Sequence, residues 1–173
     1  MQKNILMIIA PDDFQDLEYA EPKAVFEENN YKVETCSKGT DIAFGKYGAE
    51  VKIDIELSKV KVENFNAIVF VGGPGAYSYI EDEEIISLVH QAVEEEKLIC
   101  AICIAPMILY SAGILQGKRV TVWDGDSHQS TALLNSGIEY TGEDVTVDEN
   151  LITANGPDAA EKFGEEIVKK LEM

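Results

Sequence analysis

The chain has 173 residues, 46% of them hydrophobic and 27% charged, which is enough for one domain with a full core and too apolar for a disordered chain. Its formal net charge of −18 argues against nucleic acid or an anionic membrane as partner, because both would repel it at long range. No apolar run reaches the roughly 18 residues of a membrane span. The opening "MQKNILMIIAPDD" is too short for a signal peptide and meets acids at once, so a cytoplasmic protein is expected. Three cysteines, Cys36, Cys100 and Cys103, are too few and too odd in number for a disulfide framework.

Strand and helix signals alternate along the chain. "NILMIIA" is a continuous apolar run, the mark of a strand buried on both faces. "QDLEYAEPKAVFEENN" has helical spacing, with Pro22 expected to bend or break its early part. "YKVETC" alternates, and "AEVKIDIEL" predicts one or two exposed or antiparallel strands. "NAIVFVGG" is a second buried strand ending in glycines, and "DEEIISLVHQAVEEEK" is an amphipathic helix with acids at its favourable end. "LICAIC" is a third buried strand, and "APMILYSAGIL" a helix closing near Gly113. "KRVTVW" reads as a strand, "SHQSTALLNSG" as a helix ending on glycine, and "DVTVDENLITAN" as a hairpin around Asp148–Asn150. "PDAAEKFGEEIVKKLEM" is a final helix with Pro157 near its first turn. The acidic runs "EDEE" and "EEE" read as solvated helix faces.

This alternation predicts one α/β domain over residues 1–173, a doubly wound, mainly parallel sheet in an α/β/α sandwich. Such folds bind ligands beyond the carboxyl ends of their strands, so the loops after Ala10, Val71, Ile102 and Val122 matter most.

Four of those loops carry chemistry. "AICIAP" places Cys103 at the end of a core strand, with Ala101 and Ala105 two places away on either side. That is the small-x-nucleophile-x-small pattern of a nucleophile elbow, in which a sharp strand-to-helix turn lifts the central side chain and crowds its neighbours. A helix start aimed at the sulfur is expected to favour thiolate. The alternative is an inert buried cysteine. Cys100 also spells C-x-x-C with Cys103, but three extended residues separate their Cα atoms by about 10 Å, too far for a disulfide. Cys100 and Cys36 therefore read as core packing.

"VGGPGA" supplies Gly72 and Gly73 but lacks the third glycine of a dinucleotide fingerprint and any Walker lysine. The N–H of Gly73 with that of Ile104 would form an oxyanion hole, or the loop is a plain tight turn. "APDDFQDLEY" carries Gln15 and Glu18, three apart and on one face if the helix has begun; Asp12, Asp13 and Asp16 read as helix-end compensation. His128 in "WDGDSHQS" lies on the productive edge and is a candidate base for Cys103, or simply part of a helix start; His90 reads as structural.

Together, "AICIAPMILYSAGILQGKRVT", "IVFVGGPGA", "DDFQDLEYAEP" and "VDENLITANGPDAA" resemble the ThiJ/PfpI superfamily, within the class I glutamine-amidotransferase-like fold, in family order over nearly the whole chain. The resemblance implies a doubly wound sandwich, a homodimer or larger assembly, and activities among glyoxalase, protein deglycase, intracellular peptidase, chaperone and redox sensing. It makes Cys103 the reactive cysteine and Gly73 and Ile104 the backbone donors around it. It also exposes departures. Many hydrolytic members have histidine where this chain has Ile104. The family glutamate beside the cysteine aligns with Gln15. An arginine before "GP" is replaced by Asn155, and Trp123 falls where some members have histidine.

An amide at that place can donate hydrogen bonds to sulfur but cannot carry a proton. The reading at this stage is a poised thiol, Cys103 with Gln15, of a stress-response or redox-responsive protein whose ligand is a small molecule or oxidant. The alternative is a cysteine-dependent hydrolase or lyase acting on a small carbonyl or acyl compound, with His128 or Glu18 replacing the usual partners. A binding module without covalent chemistry stays open as well. Gly72 and Trp123 complete the expected binding residues, and no cofactor or metal is expected.

Overall fold

The computed structural model describes residues 3–173. In chain order the elements are β1 (Asn4–Ile8), β2 (Asp12–Phe14), α1 (Asp16–Glu28), β3 (Lys32–Ser37), β4 (Ile42–Gly45), β5 (Glu50–Lys52), β6 (Ile55–Glu56), β7 (Ala67–Phe70), α2 (Glu83–Glu94), β8 (Leu98–Ile102), α3 (Pro106–Ser111), β9 (Arg119–Val120), α4 (His128–Asn135), β10 (Glu139–Tyr140), β11 (Val145–Asp148), β12 (Leu151–Ala154) and α5 (Ala160–Glu172).

Seven strands form the central sheet in the order β11-β12-β8-β7-β1-β3-β6. All neighbours run parallel except the β11–β12 hairpin, in which Val145 pairs with Ala154 and Asp148 with Leu151. The continuous apolar runs of β1, β7 and β8 are central strands covered on both faces. Successive residues alternate between two cores: Ile5 and Met7 of β1 face one, Leu6 and Ile8 the other. The first core holds Phe26 of α1 and Phe163 and Ile167 of α5. The second holds Leu88 and Val89 of α2, Leu109 of α3 and Leu133 of α4. This is the doubly wound α/β sandwich expected from the alternating pattern. Among the described residues no helix is long and apolar enough to cross a membrane.

Local readings fared unevenly. Pro22 does not break α1, which runs uninterrupted from Asp16 to Glu28. One missing N–H costs a single backbone bond, and the helix is held by packing: Pro22 is buried and lies against Gly164 of α5. "KRVTVW" pairs only at Arg119 and Val120, against β10. "AEVKIDIEL" divides into β5, antiparallel to β4, and β6, parallel to β3. His90 is structural, its Nε2 2.8 Å from the carbonyl of Ala112.

β1 lies between β3 and β7, so the chain leaves β1 in one direction and β7 in the other. The crevice at this switch point opens beyond the ends of β1, β7 and β8. Residues 10–18, 71–75 and 103–106 all meet there.

Candidate active site

Cys103 directly follows β8 with φ +63°, a left-handed conformation that costs a non-glycine residue about 1–2 kcal/mol. The surrounding backbone imposes it. The Cys103 N–H donates to Ala154 O at 2.9 Å, and its carbonyl accepts from Trp123 N–H at 2.8 Å. Ala101 and Ala105 are fully buried beside it, which gives the two alanines their steric role. The thiol is partly exposed and lines a cleft of about 330 Å³ with Gln15, Glu18, Lys46, Tyr47, Gly73, Pro74, Tyr77, Ile104, Trp123 and Pro157.

Glu18 is the acid that meets the sulfur. It is fully buried, its Oε2 accepts from Gly72 N–H at 3.1 Å, and its carboxyl faces Cys103. Its Oε1 has no hydrogen-bond partner among the described residues. Burial raises the Glu18 carboxyl from 4.5 to about 7, against the Cys103 thiol and the Gly72 N–H, which lower it.

The Gln15 expectation is therefore corrected. Gln15 is the cap of α1, and its Oε1 accepts from Leu17 N–H at 2.7 Å and Glu18 N–H at 3.2 Å. A cap side chain folds back onto its own helix end. Gln15 reaches the cleft wall, but the carboxyl that faces the sulfur belongs to Glu18. The site keeps the carboxylic acid that the alignment had assigned to an amide.

The thiolate expectation is corrected too. Burial and the negative charge of Glu18 push the Cys103 thiol up to about 12, against the nearby N–H groups of Gly73 and Ile104, which pull it down. α3 is only six residues long and begins three residues after the cysteine, so no long helix dipole offsets burial. The two groups act as one titrating pair. Once the pair has lost its first proton, one proton is left between carboxyl and sulfur. On sulfur it gives thiol and carboxylate; on oxygen it gives a thiolate facing a carboxylic acid.

Gly72 and Gly73 make this approach possible. A Cβ on Gly72 would stand 2.5 Å from Glu18 Oε2 and 2.6 Å from Cys103 Cβ. Gly73 has φ +101°, and a Cβ there would strike the backbone N of Gln15 at 2.4 Å. Gln15 N–H donates to Gly72 O at 3.0 Å, which ties the two loops together.

His128 does not join them. Its side chain is 83% exposed, it pairs with Asp126 at 3.2 Å, and it is absent from the cleft wall. Ser127, with φ +60°, turns the chain at that point and carries the imidazole outward. Trp123 does line the cleft. Cys36 and Cys100 are fully buried free thiols. Sequence reasoning missed Lys46 and Tyr47, which arrive from the distant β4–β5 turn. It also missed Tyr77, whose only sequence signal is its place four residues after Gly73.

Fold and site together define an α/β protein with a cysteine elbow at the switch point, a buried glutamate on the sulfur and, among the described residues, no histidine beside it. The chain belongs to the DJ-1/PfpI family, whose sequence profile matches residues 3–170. It is 38% identical over 169 residues to the uncharacterized protein MJ0967 of Methanocaldococcus jannaschii, covering 97% of this chain and 82% of that one. It is 30% identical to the deglycase PH1704 of Pyrococcus horikoshii over 96% of this chain and 98% of the relative. Its fold superposes on the ThiJ/PfpI domain protein from Brachyspira murdochii with a TM-score of 0.93 at 31% identity, covering 99% and 98% of the two chains.

Proposed function

We propose that this protein is a glutamate-assisted cysteine enzyme acting on a small 2-oxoaldehyde. The observation that carries the reading is the buried Glu18 carboxyl against the Cys103 sulfur, with a pKa near neutrality. A carboxyl so tuned can take and return a proton at pH 7. The sulfur forms a bond to the aldehyde carbon as the C=O π bond opens, and the thiol proton passes to Glu18. The N–H groups of Gly73 and Ile104 stabilise the oxyanion. Glu18 gives its proton to that oxygen, leaving a thiohemiacetal. It next takes the proton from the carbon bonded to sulfur and delivers it to the neighbouring carbon, while the hydroxyl proton passes to the former ketone oxygen, yielding a thioester. Water cleaves the thioester to a 2-hydroxy acid and restores the thiol. The overall change is an internal oxidation and reduction that consumes one water and needs no added oxidant. Several similar proteins bear the name deglycase, in accord with chemistry on a carbonyl adduct.

Conversion of methylglyoxal to lactate tests this. Cys103→Ser should abolish turnover, and Glu18→Gln should lower it by about 10²–10⁴-fold. Full activity in Cys103→Ser would overturn the proposal.

A redox-responsive role in stress is a second reading, favoured by the donors around the sulfur. The N–H groups of Gly73 and Ile104 with a protonated Glu18 would hold a sulfinate oxygen. Mild peroxide should then modify Cys103 before the buried Cys36 and Cys100, as read by mass spectrometry. Equal modification of all three would count against it.

A further inference from the structure

We propose that Lys46 makes the Cys103 cleft selective for carbonyl compounds bearing an anionic group, such as a 2-oxoaldehyde with a terminal carboxylate. The proposal rests on the carbonyl reading for the reacting end of the substrate and assigns recognition of the other end.

Lys46 sits in the turn between β4 and β5, far in sequence from Cys103 but on the wall of the same cleft. Its backbone is fixed there. The Lys46 N–H donates to Phe14 O at 2.9 Å, and Gly45 N–H donates to Ala49 O at 2.8 Å across the turn. Asp16, the first residue of α1, accepts from Tyr47 N–H at 2.9 Å and Ala49 N–H at 2.8 Å with its two oxygens. The turn is thus tied to the segment that carries Gln15 and Glu18, and the root of the Lys46 side chain is held relative to the sulfur.

The ammonium lies 5.4 Å from the centroid of the Tyr47 ring, within cation–π range. Among the described residues it forms no ion pair, as several other surface lysines do not, but it alone of them stands on the cleft. It is also the one basic residue among those lining the cleft, whose wall holds the acid Glu18 and Gln15 beside the sulfur and otherwise the apolar or aromatic Tyr47, Tyr77, Trp123 and prolines.

Charge balance decides what such a cation does. The chain carries 32 acids against 14 lysines and arginines, so an anionic small molecule is repelled at long range. Only a local, unneutralised cation gives it a place to dock. Lys46 has no protein carboxylate to release first, so an incoming anion gains a charge-assisted contact without breaking one. A neutral substrate such as methylglyoxal gains nothing from it.

The test compares methylglyoxal with 4,5-dioxopentanoate, which has the same aldehyde–ketone end and a carboxylate at the other. Wild-type protein should show the higher kcat/KM for 4,5-dioxopentanoate. Lys46→Met should lower the ratio of the two kcat/KM values about tenfold, Lys46→Arg should restore most of it, and added salt should erode it. An unchanged ratio in Lys46→Met, or a wild-type preference for methylglyoxal, would overturn the proposal. A binding arm separates this from failure of the carbonyl chemistry. In the Cys103→Ser background, 4,5-dioxopentanoate binding followed by NMR titration should weaken about tenfold on adding Lys46→Met. If that occurs without wild-type turnover, the anion site stands and the enzymatic reading falls. If Lys46→Met leaves this binding unchanged, the anion site is refuted whatever the turnover.

Discussion

Glu18→Gln should make the protein more stable above neutral pH while removing its proton carrier. Glu18 is fully buried and its carboxyl is raised from 4.5 to about 7. The folded state therefore holds a proton more tightly than the unfolded chain. Below about pH 4.5 the group is protonated in both states and costs nothing. As pH rises from 4.5 through 7 the unfolded chain ionises first, and stability falls until both states are charged. At about 1.4 kcal/mol per pH unit, the loss comes to about 3 kcal/mol by pH 8. Glutamine is isosteric and does not titrate. Its oxygen can accept from Gly72 N–H as Oε2 does, and its amide can donate toward the sulfur. Urea denaturation of both proteins from pH 4 to pH 9 gives the check. The two stabilities should differ little at pH 4, then diverge in favour of Glu18→Gln by about 3 kcal/mol, with a Tm gain of about 6–12 °C at pH 8. Parallel curves across that range would refute the reasoning, because they would mean that Glu18 titrates alike folded and unfolded.

Gly72→Ala forces a methyl to within 2.5 Å of Glu18 Oε2 and 2.6 Å of Cys103 Cβ; it should cost about 1–3 kcal/mol in denaturant and separate the pair, with turnover lost. Asp16→Asn leaves one acceptor for the two N–H groups of Tyr47 and Ala49, so the β4–β5 turn should loosen and KM should rise more than kcat falls in steady-state kinetics. His128→Ala should keep wild-type turnover, since the imidazole is exposed and outside the cleft; a tenfold loss would show that it reaches the substrate after all.

Much of the molecule was legible from one sequence. The apolar runs of β1, β7 and β8 announced buried parallel strands, because strands covered on both faces cannot alternate. The spacing of Ala101, Cys103 and Ala105 gave the elbow, because an elbow crowds its neighbours whatever the rest of the fold does. The order of strands then pointed to the loops that meet at the switch point.

Which side chain stands on the sulfur was only partly legible: Gln15 was expected there, and Glu18 was named beside His128 as a substitute for the usual partner. In "QDLEY" local pattern would bury Leu17 and expose Glu18, yet Leu17 is 50% exposed and Glu18 is 0% exposed. That inversion depends on where α1 begins. With Gln15 as the cap, Glu18 falls on the inward face, under the Gly72 loop and against the sulfur. Start the helix one residue earlier and Glu18 would turn by about 100°. No count of residues between Gln15 and Cys103 reveals this. The same holds for Lys46 and Tyr47, which reach the cleft only because Asp16 ties their turn to α1. Sequence by itself determined the sheet, the elbow and the edge on which chemistry takes place, since these follow from hydrophobic period and local sterics. Only the tertiary structure decided which carboxyl stands on the sulfur, that His128 faces away, and which cation overlooks the cleft, because those depend on helix phase and on contacts between segments far apart in the chain.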